Sequence, residues 1–337
     1  MFVIAIPVNR DLGLENRSKS NYGKGLVMEE IKDVIKVHKN GRVERSSSTI
    51  ESVTPFLPPN LDVTARDVYI DRPTNVWART YVPKRDEDYK FPLLVYFHGG
   101  GFCVGSTSWK CYHEFLGNLS SKARCVIVSV NYRLAPENRL PAAYEDGIKA
   151  LMWVKQQENG PSSEYWTKYC EFSSIFLGGD SAGANIAYNV ALKLEMTSPI
   201  NIKGIIMAQP FFGGEKRTNS EKSVSKSSKS TLNMTASDTY WRLALPVGAN
   251  RDHPWCNPAN EGVQMLENTR VMVCVAEEDV VRDRNTEFCS ALGKANNQVK
   301  RINYEGVGHG FQIVDKSQVS QMRKHQMMDD IVNFINA

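Results

Sequence analysis

The residues best suited to chemistry are a serine and a run of glycines. Gly178-Gly179-Asp180-Ser181-Ala182-Gly183-Ala184-Asn185 follows the apolar run Ile175 to Leu177 and contains the pattern G-x-S-x-G. Small residues two positions either side of a serine let the chain turn sharply from strand to helix, so that Oγ projects from a sheet edge. Such a serine attacks a carbonyl carbon once a base takes its proton. Alone, the pattern describes a plain strand-to-helix turn equally well. Further support comes from His98-Gly99-Gly100-Gly101-Phe102. Consecutive glycines bring backbone N–H groups close to a substrate, facing an oxygen that gains negative charge. The predicted donors are Gly100, Gly101 and Ala182. A phosphate cradle is the other use of such a loop, but neither G-x-G-x-x-G nor a Walker pattern is present. His98 reads as a turn residue, because its strand delivers the glycines rather than the imidazole.

A serine nucleophile needs a base, and the base needs an orienting carboxylate, here expected in the chain order serine, acid, histidine. Only His253, His309 and His325 follow Ser181. His309 lies in "EGVGHGF", a Gly-rich loop directly after the apolar-patterned run "VKRINYE". His253 precedes the candidate acids, and His325 falls among charged neighbours in the last helical stretch. "RVMVCVAEEDVVRDR" offers Glu277, Glu278, Asp279 and Asp283 just beyond a strand. Asp279 is the preferred acid and Asp283 the second choice, with a helix cap as its alternative role.

These residues need a scaffold. "PLLVYF", "CVIVSVNY", "SIFLGG", "GIIMAQPF", "RVMVCVA" and "VKRINYE" have the length and the β-branched and aromatic content of buried strands. Helical patterns lie between them. Pro141 opens one in which Tyr144, Ile148, Leu151 and Met152 share a face. Ala182 to Glu195 aligns Ile186, Val190 and Leu194, and Gln318 to Ile335 is expected to bury Val319, Met322, Ile331 and Phe334. Alternating strands and helices predict an α/β fold with a mostly parallel sheet covered on both faces. The sheet is expected to be entered through an antiparallel hairpin edge, and two earlier stretches read as hairpins: Val37 and Val43 flank Asn40-Gly41, which suits a type I′ turn, and "DVYIDRPTNVWARTYVP" turns near Pro73-Thr74. Residues 215–230, "EKRTNSEKSVSKSSKS", have no apolar period and read as a flexible loop.

Composition narrows the partners. Of 337 residues, 42% are hydrophobic and 23% charged, as in an ordinary globular protein. A net charge of +4, from 41 basic and 37 acidic residues, is too balanced for a nucleic-acid partner. Seven cysteines without a C-x-x-C pair leave one unpaired in any internal disulfide scheme, which predicts a reducing compartment. No run reaches the roughly 20 apolar residues needed to span a bilayer. The opening "MFVIAIPVNR" has no basic region before its apolar run, so a cytoplasmic location and no membrane partner are expected.

Taken together, "HGGGFCVGS", "NYRLAPENRLPAAYEDG", "GGDSAGANIA", "EEDVVRDR" and "GVGHGF" resemble the motifs of plant carboxylesterases in the hormone-sensitive-lipase-like group of the α/β-hydrolase superfamily. The resemblance covers roughly residues 30–337. It implies a single α/β-hydrolase domain, with a cap formed by the N-terminal segment 1–30 and an insertion, 211–245. It implies Ser181, Asp279 and His309 as triad, residues 131–137 shaping the core beside the site, a small-molecule ester as substrate, and neither metal nor organic cofactor. The leading expectation is a serine carboxylesterase. The alternatives are an alkaloid-type methyl esterase or lyase-like cyclase of specialised metabolism and, further off, a binding protein similar to the gibberellin receptors, which lack the catalytic histidine. Phe102, Phe211, Tyr240 and Trp241 are the candidate substrate contacts, with Tyr240 and Trp241 preferred because they follow the serine-lysine stretch.

Overall fold

The computed structural model describes residues 26–46, 51–84, 89–159, 164–197, 200–223, 230–260, 263, 266, 269–295 and 298–337. Most of the segment 1–30 and residues 224–229 of the serine-lysine stretch lie outside the described residues.

The chain first makes a small antiparallel sheet of β1 (Val27–Ile31), β2 (Ile35–His38) and β3 (Val43–Arg45). Val37 pairs with Val43 as expected, but the turn differs. Gly41 alone has positive φ, 83°, and the N–H of His38 bonds the Arg42 carbonyl across a three-residue loop. That is a tight turn closed by a left-handed glycine rather than a type I′ turn, which needs positive φ at both central residues.

The main sheet has eight strands in the order β11-β10-β9-β8-β6-β7-β5-β4. Its elements are β4 (Val63–Asp71), β5 (Val76–Pro83), β6 (Phe91–Phe97), α1 (Lys110–Ala123), β7 (Val126–Asn131), α2 (Ala142–Asn159), β8 (Cys170–Asp180) and α3 (Ala182–Thr197). Then follow β9 (Ile202–Ala208), α4 (Asn219–Ser223), α5 (Met234–Ala244), β10 (Arg270–Ala276), α6 (Arg282–Lys294), β11 (Val299–Tyr304) and α7 (Gln318–Asn336). Pairing is parallel from β11 to β7, and antiparallel where the β4–β5 hairpin joins at the β7 edge.

The continuous apolar runs follow from burial on both faces. In β6, Leu93, Val95 and Phe97 face one core with α2, α3 and α6, whereas Leu94 and Tyr96 face a second core with α1 and α7. β10 divides likewise, Val271, Val273 and Val275 against Met272, Cys274 and Ala276. The neighbours β6 and β8 are followed by helices on opposite faces, which opens a crevice at their C-terminal ends.

Three local expectations need correction. Met152 is 43% exposed, because the inward stripe of α2 runs through Ala143, Ala150, Leu151 and Val154. Val319 and Met322 are 44% and 56% exposed; the buried stripe of α7 instead comprises Met327, Met328, Ile331, Phe334 and Ile335, where the helix packs on α1 and the sheet. Within 215–230, Asn219–Ser223 forms α4, and Ser220 and Glu221 are buried. Their partners come from α6 and the turn before it. Ser220 donates to the Val280 carbonyl, and Arg284 pairs with Glu221.

Candidate active site

Ser181 sits between the last residue of β8 and the first of α3, at φ 52°. This left-handed conformation costs a non-glycine residue about 1–3 kcal/mol and persists only where the surroundings hold it. They do so through backbone bonds: the Ser181 N–H donates to Ala208 O at 2.8 Å, and the Phe211 N–H to Ser181 O at 3.0 Å. Gly183 is required because α3 begins against β6, where any Cβ would run into the Phe97 carbonyl. Residue types within a few positions thus force the turn that presents Oγ.

His309, on the loop after β11, and Asp279, after β10, reach the same point. His309 Nδ1–H donates to Asp279 Oδ2 at 2.7 Å, which leaves Nε2 to accept from the Ser181 hydroxyl at 2.8 Å. Asp279 is fully buried, and its Oδ1 takes the Val281 N–H at 3.1 Å. Burial pulls the imidazole pKa down, but the charge and hydrogen bond of Asp279, with the charge of Asp180, outweigh it and leave the value raised. The His309–Gly310 peptide is held on both sides. Thr231 Oγ1 donates to His309 O at 2.7 Å, and the Gly310 N–H to Gln209 Oε1 at 2.9 Å.

The other candidates lie in different roles. Asp283 does not cap its own helix, which has no side-chain cap; its carboxylate instead accepts the Ser220 N–H in the first turn of α4, and its own N–H donates to Ser220 Oγ. Glu277 accepts from the Gly306 N–H. The His253 ring packs at a tilt against Trp255, and His325 is exposed and bonded to the Gln321 carbonyl. His98 is fully buried, stacked on Tyr132, and burial pushes its pKa down to about 4, as befits a neutral packing residue.

Gly100 and Gly101 line the same cavity as Ser181 and His309, with φ 110° and 58°. Among the described residues no acceptor takes the N–H of Gly100, Gly101 or Ala182. The Tyr240 ring lies where a Cβ of residue 101 would stand, so glycine there also admits the ring.

This cavity has a volume of about 670 Å³. Phe211 and Tyr240 line it, together with Trp109, Leu232, Ile313 and Val314. Phe102 and Trp241 do not. They are 1% and 0% exposed, and Trp241 stacks on Phe211 at 4.7 Å and lies 5.4 Å from Phe102, forming the aromatic layer behind the wall. Val34 and Arg45 of the small sheet also reach the cavity, a contribution that nothing in their local sequence signals. Asp180, inside the serine motif, reaches the cavity as well, a role that the motif itself does not signal. Among the described residues, no cluster of His, Cys, Asp or Glu is arranged to hold a metal ion, and no helix is long and apolar enough to cross a membrane.

Residues 94–313 match the family described as the alpha/beta hydrolase fold. The chain is 48% identical over 326 residues to probable carboxylesterase 6 of Arabidopsis thaliana, covering 95% of each protein. It is 36% identical over 305 residues to a gibberellin receptor of the same plant, covering 85% of this chain and 84% of the receptor. Among solved structures it resembles an esterase of Pyrobaculum calidifontis, with a TM-score of 0.69 and 25% identity over 82% of this chain and 86% of that one. The chain therefore belongs to the α/β-hydrolase superfamily and, within it, to the hormone-sensitive-lipase-like plant carboxylesterases, a group of carboxylic ester hydrolases.

Proposed function

We propose that this protein is a serine carboxylesterase that cleaves a small-molecule ester through Ser181, His309 and Asp279. The observation that carries the reading is the unbroken chain Ser181–His309–Asp279, at 2.8 and 2.7 Å, opening on a mainly apolar cavity beside Gly100 and Gly101. Ser181 Oγ attacks the ester carbonyl while His309 Nε2 takes its proton. Asp279 keeps the proton-bearing nitrogen turned away and stabilises the imidazolium. The N–H groups of Gly100, Gly101 and Ala182 receive the oxyanion. Collapse expels the alcohol, protonated by His309, and a water activated by the same imidazole releases the acid and restores the serine.

In this reading the cap that selects substrates comprises the N-terminal segment, extended from 1–30 to include β1, β2 and β3, and the insertion 211–245. Of the cavity residues they supply, Val34, Phe211, Leu232 and Tyr240 are apolar and Asp33, Arg45, Ser46 and Thr231 are polar; Arg45 is already engaged by Glu137 at 2.6 Å. The cavity wall as a whole is mainly apolar, so the expected substrate is an uncharged ester with an apolar acyl or alcohol group. The seven cysteines are all free thiols, which suits a reducing compartment such as the cytoplasm.

The test is intact-protein mass after exposure to a fluorophosphonate. The parent is expected to gain one adduct, Ser181→Ala none, and His309→Ala one only slowly. A folded parent that gains none, yet binds small molecules tightly, would support a receptor role instead.

A further inference from the structure

Asp180 is the residue of the serine motif for which the proposed mechanism has no use, and its setting is costly. It is 4% exposed, and burying a carboxylate without a paired cation is strongly unfavourable. Burial pushes its pKa up to about 6, against the pull of Tyr96, Tyr112, His309 and the Gly99 N–H. Its partners all belong to the chain around the glycine loop. Oδ1 accepts the Tyr96 hydroxyl at 2.8 Å and the Gly99 N–H at 3.1 Å, while Oδ2 accepts the Tyr112 hydroxyl at 2.9 Å. Tyr112 also accepts the Gly99 N–H, at 2.9 Å.

The placement of these bonds matters. The last pair in the β6–β8 ladder is Phe97 with Gly179, so backbone pairing ends before either loop begins. Beyond it the Asp180 side chain takes over. It grips Tyr96 before the loop, Gly99 within it and Tyr112 after it. Asp180 directly precedes Ser181, and Gly99 directly precedes Gly100, so one hydrogen bond joins the two neighbours of the reacting groups.

We infer that Asp180 is a positioning residue, whose carboxylate locks the glycine loop to the nucleophile turn and so aims the Gly100 and Gly101 N–H groups at the oxyanion. This inference rests on the esterase reading above. It gives the two buried acceptor oxygens of this side chain a task that an apolar residue at 180 could not perform.

The test compares Asp180→Leu, Asp180→Asn and Tyr112→Phe with the parent, using p-nitrophenyl acetate and a trifluoromethyl ketone that mimics the tetrahedral intermediate. Asp180→Leu is expected to lower kcat roughly 100-fold and the ketone affinity by the same factor, leaving KM within about twofold, as for a lost oxyanion donor. The conservative Asp180→Asn keeps an acceptor for Gly99 and is expected to recover most of that loss. Tyr112→Phe is expected to fall between, with kcat and ketone affinity again moving together; should Asp180→Leu fail to fold, this variant decides. A kcat in Asp180→Leu or Tyr112→Phe within twofold of the parent would overturn the inference. So would a fall in kcat without a matching fall in ketone affinity, or an asparagine variant no better than leucine. Fluorophosphonate labelling of the parent, absent in Ser181→Ala, checks the esterase reading separately, so a failure of Asp180 alone leaves that reading standing.

Discussion

The edge of the main sheet that carries Ser181, Asp279 and His309 and the segments that supply other walls of its cavity, residues 27–46 and the described parts of 211–245, are built on different physics. At the sheet edge, position is imposed by backbone: a left-handed serine, a glycine pressed on the Phe97 carbonyl and loops leaving the C-terminal ends of parallel strands. Over the cavity, position is imposed by side chains reaching across long sequence distances, such as Arg45 to Glu137 and the Cys103 carbonyl, and Arg242 to Glu29. The first arrangement tolerates almost no substitution without losing its geometry. The second rests on individual side-chain contacts rather than on backbone geometry.

The largest break in the comparison is Ser181→Ala. It should lower kcat by about 10⁶-fold, measured with p-nitrophenyl acetate, while the folded state and the cavity survive. Next, Trp241→Ala probes the second region. Trp241 lies in α5 but is fully buried, so its loss should cost about 3–5 kcal/mol of stability in urea unfolding. A change confined to ester selectivity would instead place Trp241 with the cavity wall.

The acid limb of kcat/KM sharpens the account of the sheet edge. The base works only as neutral imidazole, and the net effect of burial, Asp279 and Asp180 leaves the His309 pKa raised above 6.5. Activity should therefore fall as pH drops through a midpoint above 6.5, by about tenfold per unit below it. A midpoint below the ordinary histidine value would show burial winning over Asp279. The smallest effect belongs to Arg242, the neighbour of Trp241. Its pair with Glu29 joins side chains 54% and 28% exposed, so Arg242→Ala should change stability by less than about 1 kcal/mol. Adjacent residues in α5 would then differ several-fold in energetic weight, for reasons of burial alone.

Much of this protein is legible from local pattern. The six strands after residue 90, the helix after Ser181 and the antiparallel edge are present as predicted, because a buried parallel strand and an amphipathic helix leave period and composition in a few consecutive residues. The serine turn is equally local, since its demands fall on Gly179, Ser181 and Gly183. Other features have no local signature. Glu277, Glu278, Asp279 and Asp283 look alike in one acidic run, and only the path of the loop after β11 brings His309 to Asp279. Phe102 and Phe211 are both aromatic residues following strands, yet three-dimensional layering puts one behind the wall and the other on it. Met152, Val319 and Met322 satisfy helical spacing but meet no partner layer that buries them, because spacing defines a stripe and not what lies against it. Asp180 is the clearest case. The sequence by itself determined that an aspartate stands there between glycine and serine; that it is buried and bonded to Tyr96, Gly99 and Tyr112 was decided only when β6, β8 and α1 packed together.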